Sequence, residues 1–457
     1  MIHIVDPPPV STQTQEGLRR EVGVWGLGSN LINTVVGAGI FVLPAVVAKG
    51  LGSAGIIAYI FCGILITMVM LCFAEVGSKI TLSGGAYNYI GIAFGKYFGF
   101  LTTNIFIFGC SLLANAAVAN ALADTLSYPL PLFNNAVFRG FFFVAVYSLL
   151  SIPNIRGVSK GVALIKITTL AKLTPLLTLL VLGATHVSID NLTWETAPSF
   201  HDIGETSLIL FFAFQGAENS LGISGEVRTP KKTIPKGILI SILIVVLLYA
   251  GIQLVSQGIL GDSLPLFGNA PLAEVANQIM GPFGVTLMIV GAAISMFGYL
   301  SGDILNMPRV IFGAARDRVI PIPALARIHP RFATPYMSII LFAALGCAYA
   351  ISGGFTQLAI LSSASSLLIY LGVALAVIKL RLTKARDPKT FRIPGGYTIP
   401  ILAVIAIGWF LSNLSMNEKI GMAIFIGILS VLFLAVNWLK KKGRDGEHAV
   451  EQEINRP

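Results

Sequence analysis

Charge is what this chain has least of. Only 11% of its 457 residues are Asp, Glu, Lys or Arg, 55% are hydrophobic, and the mean hydropathy is +0.81. A water-soluble fold carries about a quarter charged residues. That class is therefore excluded, and a polytopic helical membrane protein is expected. Cysteine is scarce as well. Cys62, Cys72, Cys110 and Cys347 all lie in apolar runs and are spaced for neither a disulfide framework nor a metal cluster. His3, His186, His201, His329 and His448 fall in tails and loops and form no metal pair. No P-loop, zinc motif or nucleophile–base pair is visible, so neither a metal, a cofactor nor an enzyme activity is expected. The first twenty residues are polar and proline-rich with no early apolar core, so insertion is expected to begin at the first span rather than at a cleavable signal.

What is abundant is long apolar runs. A membrane helix takes roughly 20 apolar residues. Twelve candidate spans are read at 24–48, 54–77, 98–123, 136–152, 161–183, 206–224, 237–260, 283–307, 336–351, 355–378, 398–415 and 420–439. The span at 336–351 is short, and helix is expected to continue past 307. The net charge of +10 could suggest nucleic acid, but its distribution points elsewhere. With the N-terminus inside, 26 of the 31 Lys and Arg fall in cytoplasmic segments. Lys49, Arg139 and Lys419 remain outside, and Lys166 and Lys172 lie within a span. That asymmetry obeys the positive-inside rule for twelve spans with both termini cytoplasmic. The partner it implies is a lipid bilayer, the plasma membrane, and no nucleic acid. Asn191-Leu192-Thr193 forms a glycosylation sequon on the outer side.

Two of the spans are interrupted. Val35-Val36-Gly37-Ala38-Gly39-Ile40-Phe41 puts two glycines in the middle of the first, each costing a helix about 1 kcal/mol relative to alanine. Unpaired backbone is tolerated in a membrane only against protein or a lined cavity. Taken alone, the stretch also fits close helix packing through small residues. The sixth span contains Phe211-Phe212-Ala213-Phe214-Gln215-Gly216-Ala217-Glu218-Asn219-Ser220, and polar groups there are expensive unless they face a cavity. The breaks lie five spans apart, so a five-span repeat would begin from opposite sides of the membrane. Paired interrupted helices in two halves point to a transporter site near the midplane.

Further stretches occur in a fixed order. Ala74-Glu75-Val76-Gly77 ends the second span, Ser83-Gly84-Gly85-Ala86-Tyr87-Asn88-Tyr89 follows it, and Asn154-Ile155-Arg156-Gly157-Val158 opens the fifth. Glu226-Val227-Arg228-Thr229-Pro230-Lys231-Lys232-Thr233-Ile234-Pro235 follows the sixth, Ala315-Arg316-Asp317 the eighth, and Phe391-Arg392-Ile393-Pro394 comes later. Together with Gly37-Ala38-Gly39-Ile40-Phe41 and the sixth-span motif, this order resembles the amino acid–polyamine–organocation (APC) family over most of residues 22–400. The resemblance implies an all-α, leucine-transporter-like membrane fold of twelve helices: a 5+5 inverted repeat with broken helices 1 and 6, plus two extra helices. The expected divisions are a cytoplasmic tail at 1–21, repeats at 22–183 and 184–380, helices 11 and 12 at 381–440, and a second tail at 441–457. The implied activity is secondary amino acid transport by alternating access, as proton symport or as exchange. The alternatives are a cationic amino acid or amine antiporter of the arginine/agmatine kind and, from a different class, an amino acid sensor that binds without moving its ligand.

The site follows from the chemistry of an amino acid zwitterion. A helix restarting after Gly39 aims N–H groups and the positive end of its dipole at a carboxylate, which brings in Gly37, Ala38, Gly39 and Ile40. The ammonium needs acceptors, and family position offers the carbonyls of Val35, Phe212 and Gln215. Phe212 also occupies the position of the family's aromatic gate. Glu218 fits either a proton-sensitive coupling residue or a structural carboxylate capping the re-formed helix, whereas Glu75 is read as a structural contact. In the third span, Cys110, Ser111 and Asn115 could line the side-chain pocket, and their spacing resembles the arginine/agmatine antiporters. Asp303, in the eighth span, stands where those have tryptophan. A carboxylate there would favour cationic side chains, but small or neutral amino acids are the expectation. Lys172 lies eighteen residues after Asn154, the spacing of the family's membrane lysine. The resemblance implies that its ammonium replaces a sodium ion between spans one, five and eight, near hydroxyls such as Ser295.

Overall fold

The computed structural model describes residues 23–79, 86–157, 161–194, 197–218, 227, 229–317, 319–383 and 390–454; over 86–88, 161–171, 230–231 and 439–454 it describes backbone alone. The motif residues at 83–85, Asn219, Ser220, Glu226 and Arg228 lie outside the described residues, as does the side chain of Lys166.

The first expected span is two helices, α1 (Val24–Val35) and α2 (Gly39–Leu51). α3 (Ile56–Lys79) is the second, and a short α4 (Ala86–Phe94) follows. α5 (Lys96–Asn104) and α6 (Leu112–Ser127) form the third, joined by a π-helical turn at Ile105–Ser111. α7 (Ala136–Ile155), α8 (Gly161–Gly183) and α9 (Phe200–Leu210) come next, the last continued by a 3-10 turn at Phe211–Phe214. The rest are α10 (Pro230–Leu260), α11 (Pro271–Arg316), α12 (Tyr336–Ser352), α13 (Phe355–Thr383), α14 (Thr398–Ser412) and α15 (Met416–Ile454).

No strand occurs among the described residues. Seven stretches there are long and apolar enough to cross a bilayer, from Gly39–Lys79 to Met416–Trp438. Lys172–Gly183, Tyr336–Ser352 and Thr398–Ser412 are shorter apolar helices. The chain is therefore a multi-pass helical membrane protein. α11 runs on to Arg316, past the expected end at 307. At its other end Gly281 adopts φ 60, ψ −150 and splits off the residues before it; Pro282, which follows, has no N–H to carry a helix across.

Small residues let the helices approach. A Cβ on Gly183 would stand 2.4 Å from Val255, and one on Gly251 would stand 2.7 Å from Leu180, so α8 and α10 touch through their glycines. Without a hydrophobic drive between helices in lipid, such close contact supplies the dispersion energy that holds them.

At the end of α3, Glu75 is wholly buried and saturated. It accepts from Arg381 of α13 at 2.8 and 2.5 Å, from Lys79 at 2.9 Å and from the Ile393 amide at 2.9 Å. Arg381 also donates to the Gly396 carbonyl. One carboxylate thus ties α3, α13 and the segment after α13 together, a structural contact as the sequence suggested. The Asn191 amide of the sequon donates to the Gly258 carbonyl at 2.9 Å, which commits it to packing against α10.

Candidate functional site

Both expected breaks are present. Residues 36–38 separate α1 from α2. The second break falls where Gln215 is extended (φ −74, ψ 161) and Gly216 takes φ +98. The two meet directly. A Cβ on Gly39 would lie 2.8 Å from the Ala213 backbone, and one on Gly216 would lie 3.2 Å from the Thr34 carbonyl. Gly39 therefore serves close packing as well as a helix start. A Cβ on Gly37 meets only the Val35 carbonyl at 3.8 Å, so the space beside Gly37 stays open.

That space is a cavity with about 650 Å³ free of protein atoms, counting the part continuous with solvent. Val35, Gly37, Ala38, Gly39, Phe212 and Gln215 form one side of it. Cys110, Ser111, Glu218 and Asp303, also expected, line it as well, and Phe106, Tyr299 and Ser366 add to it. Ile40 is not among the lining residues; its side chain is 1% exposed in the core, leaving only its amide at the α2 terminus. Asn115 is also absent from the wall and stands behind Asp303.

Asp303 is half-buried and accepts from Ser111 Oγ at 3.1 and 3.2 Å and from Asn115 Nδ2 at 2.9 Å. Tyr147 in turn donates to Asn115 Oδ1 at 2.7 Å. Asp303 does not pair with Arg309, whose guanidinium donates to the Leu305 carbonyl within its own helix. Glu218 accepts from the Gly216 amide at 3.1 Å and from Tyr370 at 2.6 Å. It thus ties the second break to α13 and also lines the cavity.

Three features were not legible in the sequence. The π-helical turn at Ile105–Ser111 lies where span three meets the cavity, and such turns recur at functional sites because they re-aim side chains. The Gln215 side chain is held by α13: Ser362 and Ser366 donate to Oε1 at 3.2 and 2.9 Å, and Nε2 donates to Ser363 at 2.8 Å. The buried Tyr249 of α10 donates to the carbonyls of Val35 and Ala213 at 3.1 and 3.2 Å, one proton shared across both breaks. The only sequence signal for Tyr249 was a phenol in an otherwise aliphatic run. Tyr249→Phe should leave both carbonyls without that donor. A cost of about 1–3 kcal/mol is expected for the lost bond, read as a lower melting midpoint in detergent and weaker ligand binding; an unchanged melt would refute the strap.

Phe212 is 8% exposed, lines the cavity and meets Phe355 edge to face at 5.6 Å. If the ring closes over a bound solute, Phe212→Ala slows uptake by roughly tenfold, the scale of one lost aromatic contact, and weakens equilibrium binding less. Uptake at the parental rate with normal expression would remove Phe212 from the gate.

Lys172 is buried, and its ammonium donates to the Asn33 carbonyl at the end of α1. That carbonyl lies in the last turn of α1. Ser295 Oγ, expected nearby, has no hydrogen-bond partner among the described residues.

Interrupted helices that meet at a cavity inside a multi-pass bundle define a class, the membrane transporters. The chain belongs to the amino acid permease family of the APC superfamily, whose model, described as "Amino acid permease", matches residues 22–448. It is similar to the serine/threonine exchanger SteT of Bacillus subtilis (strain 168), 26% identical over 90% of this chain and 95% of that protein. It is similar to the branched-chain amino acid permease BcaP of the same organism, 24% identical over 88% and 90%. It is also similar to the large neutral amino acids transporter small subunit 2 of Rattus norvegicus, 27% identical over 93% and 82%. The family and these relatives are transporters rather than enzymes.

Proposed function

We propose that this protein is a sodium-independent secondary amino acid transporter of the plasma membrane, working by alternating access as a proton symporter or an exchanger. The reading includes twelve spans with both termini cytoplasmic: inverted repeats over 22–183 and 184–380, helices 11 and 12 over 381–440, and tails at 1–21 and 441–457. The observation that carries it is the meeting of the two broken helices at one cavity, with the Lys172 ammonium bonded to the Asn33 carbonyl at the end of α1.

The chemistry follows from the geometry. Amides at the start of α2 donate to the substrate carboxylate, which the positive end of the α2 dipole also attracts. The carbonyls of Phe212 and Gln215 are the acceptors for its ammonium. Val35 is a weaker acceptor, since Tyr249 already bonds its carbonyl. Cys110 and Ser111 face the substrate side chain, Asn115 positions Asp303, and Lys172 and Glu218 are the coupling residues. The names of the relatives support amino acids as substrates, and the name of SteT supports exchange.

The test is uptake of radiolabelled amino acids by the purified protein in liposomes, with choline in place of sodium. Accumulation that persists in choline is the expected result. Counterflow against internal amino acid then separates exchange from proton-driven uptake. Binding without accumulation would favour a sensor, and a need for a sodium gradient would overturn the coupling.

A further inference from the structure

The cavity walls carry two carboxylates, Asp303 and Glu218, and no Lys, Arg or His among the described residues. Removing a carboxylate from water without a counter-charge costs several kcal/mol, so a cavity with two of them asks for positive charge. The two differ in how they are satisfied. Glu218 is engaged by the backbone of its own break and by Tyr370. Among the described residues, the hydrogen bonds to Asp303 come from the neutral donors Ser111 and Asn115, and Asn115 is itself fixed by Tyr147. These hold the carboxylate in place without neutralising it. Phe106, Phe212 and Tyr299 line the same cavity, and aromatic faces attract cations. Asp303 comes from α11, whereas the amides suited to a carboxylate come from α2, so the two charges of a ligand would be taken by different helices.

Resting on the amino acid transporter reading, we infer that Asp303 is the anchor for a cationic side chain and that the substrates are amino acids of the arginine and lysine class. This reverses the expectation of small or neutral substrates, because Asp303 lines the cavity and is held there by neutral donors. The α-ammonium is served by break carbonyls, so the charge of Asp303 is left for the side chain. The carboxylate accepts hydrogen bonds from a guanidinium or ammonium, and charge-assisted bonds of this kind are about twice as strong as neutral ones.

The experiment uses pairs that differ by one charge: arginine against citrulline, and lysine against Nε-acetyl-lysine. Each competes for uptake of radiolabelled arginine by the full-length protein in liposomes, with labelled leucine and serine assayed in parallel. The charged member should compete roughly tenfold better or more, the size of one charge-assisted bond. Asp303→Asn should bring the ratio close to one, and Asp303→Glu should keep a preference for the charged member. Equal competition within each pair on the unaltered protein would overturn the inference even if the variants fail to fold. A preference that survives Asp303→Asn would overturn the assignment of Asp303. Uptake of leucine or serine but not arginine would remove the cationic class and leave the transporter standing. No uptake of any amino acid by well-folded protein would remove the transporter reading itself.

Discussion

Uptake by Lys172→Ala should fall roughly a hundredfold, in sodium or in choline alike. The ammonium holds the Asn33 carbonyl at the end of α1. It also places positive charge at the negative end of the α1 dipole. Alanine removes that bond and the charge it brings to the end of α1. A hydrogen bond to a charged group is worth about 1.5–3 kcal/mol. Three kcal/mol on a transport barrier is about a hundredfold in rate. The break beside the cavity would lose one of its fixed points, so the loss falls on the moving part of the site. Near-normal yield and a monodisperse elution profile would show that the fold survives. Parental uptake by a folded Lys172→Ala protein would strike Lys172 from the coupling machinery.

Glu75→Ala should act on stability instead. It would leave Arg381, 1% exposed at its side chain, facing a buried site with its carboxylate gone. Removing one partner of a buried ion pair costs about 3–5 kcal/mol, because the remaining charge stays desolvated. The expected result is a melting midpoint lower by many degrees and poor recovery from detergent. Glu75→Leu combined with Arg381→Met should recover much of that loss, since neither charge then remains buried. The double variant separates the penalty of an orphaned charge from the worth of the pair. If Glu75→Ala melts like the parent, the tie between α3, α13 and the segment carrying Ile393 contributes nothing.

Much of this was legible in the chain. The scarcity of charge and the length of the apolar runs required a membrane, because hydrocarbon admits only backbone that satisfies its own hydrogen bonds. Gly37, Gly39, Gln215, Gly216 and Glu218 stood out for the same reason: each is costly in a continuous membrane helix, so each marks a place where the helix stops. Lys172 was conspicuous as a charge in an apolar span. What was not legible was who meets whom. Asp303 could have paired with Arg309 along its own helix; only the packing of α11 against the third span shows Ser111 and Asn115 as its partners, 192 and 188 residues away in sequence.

Tyr249, the serines of α13 and the π-helical turn carried no periodic signal, because hydrogen bonds between distant helices leave no mark on local spacing. Local physics, the price of charge and unpaired backbone in lipid, was decided by the sequence alone. The tertiary structure decided which buried carboxylates are satisfied by their neighbours and which face open space, because satisfaction is a property of pairs that only folding brings together.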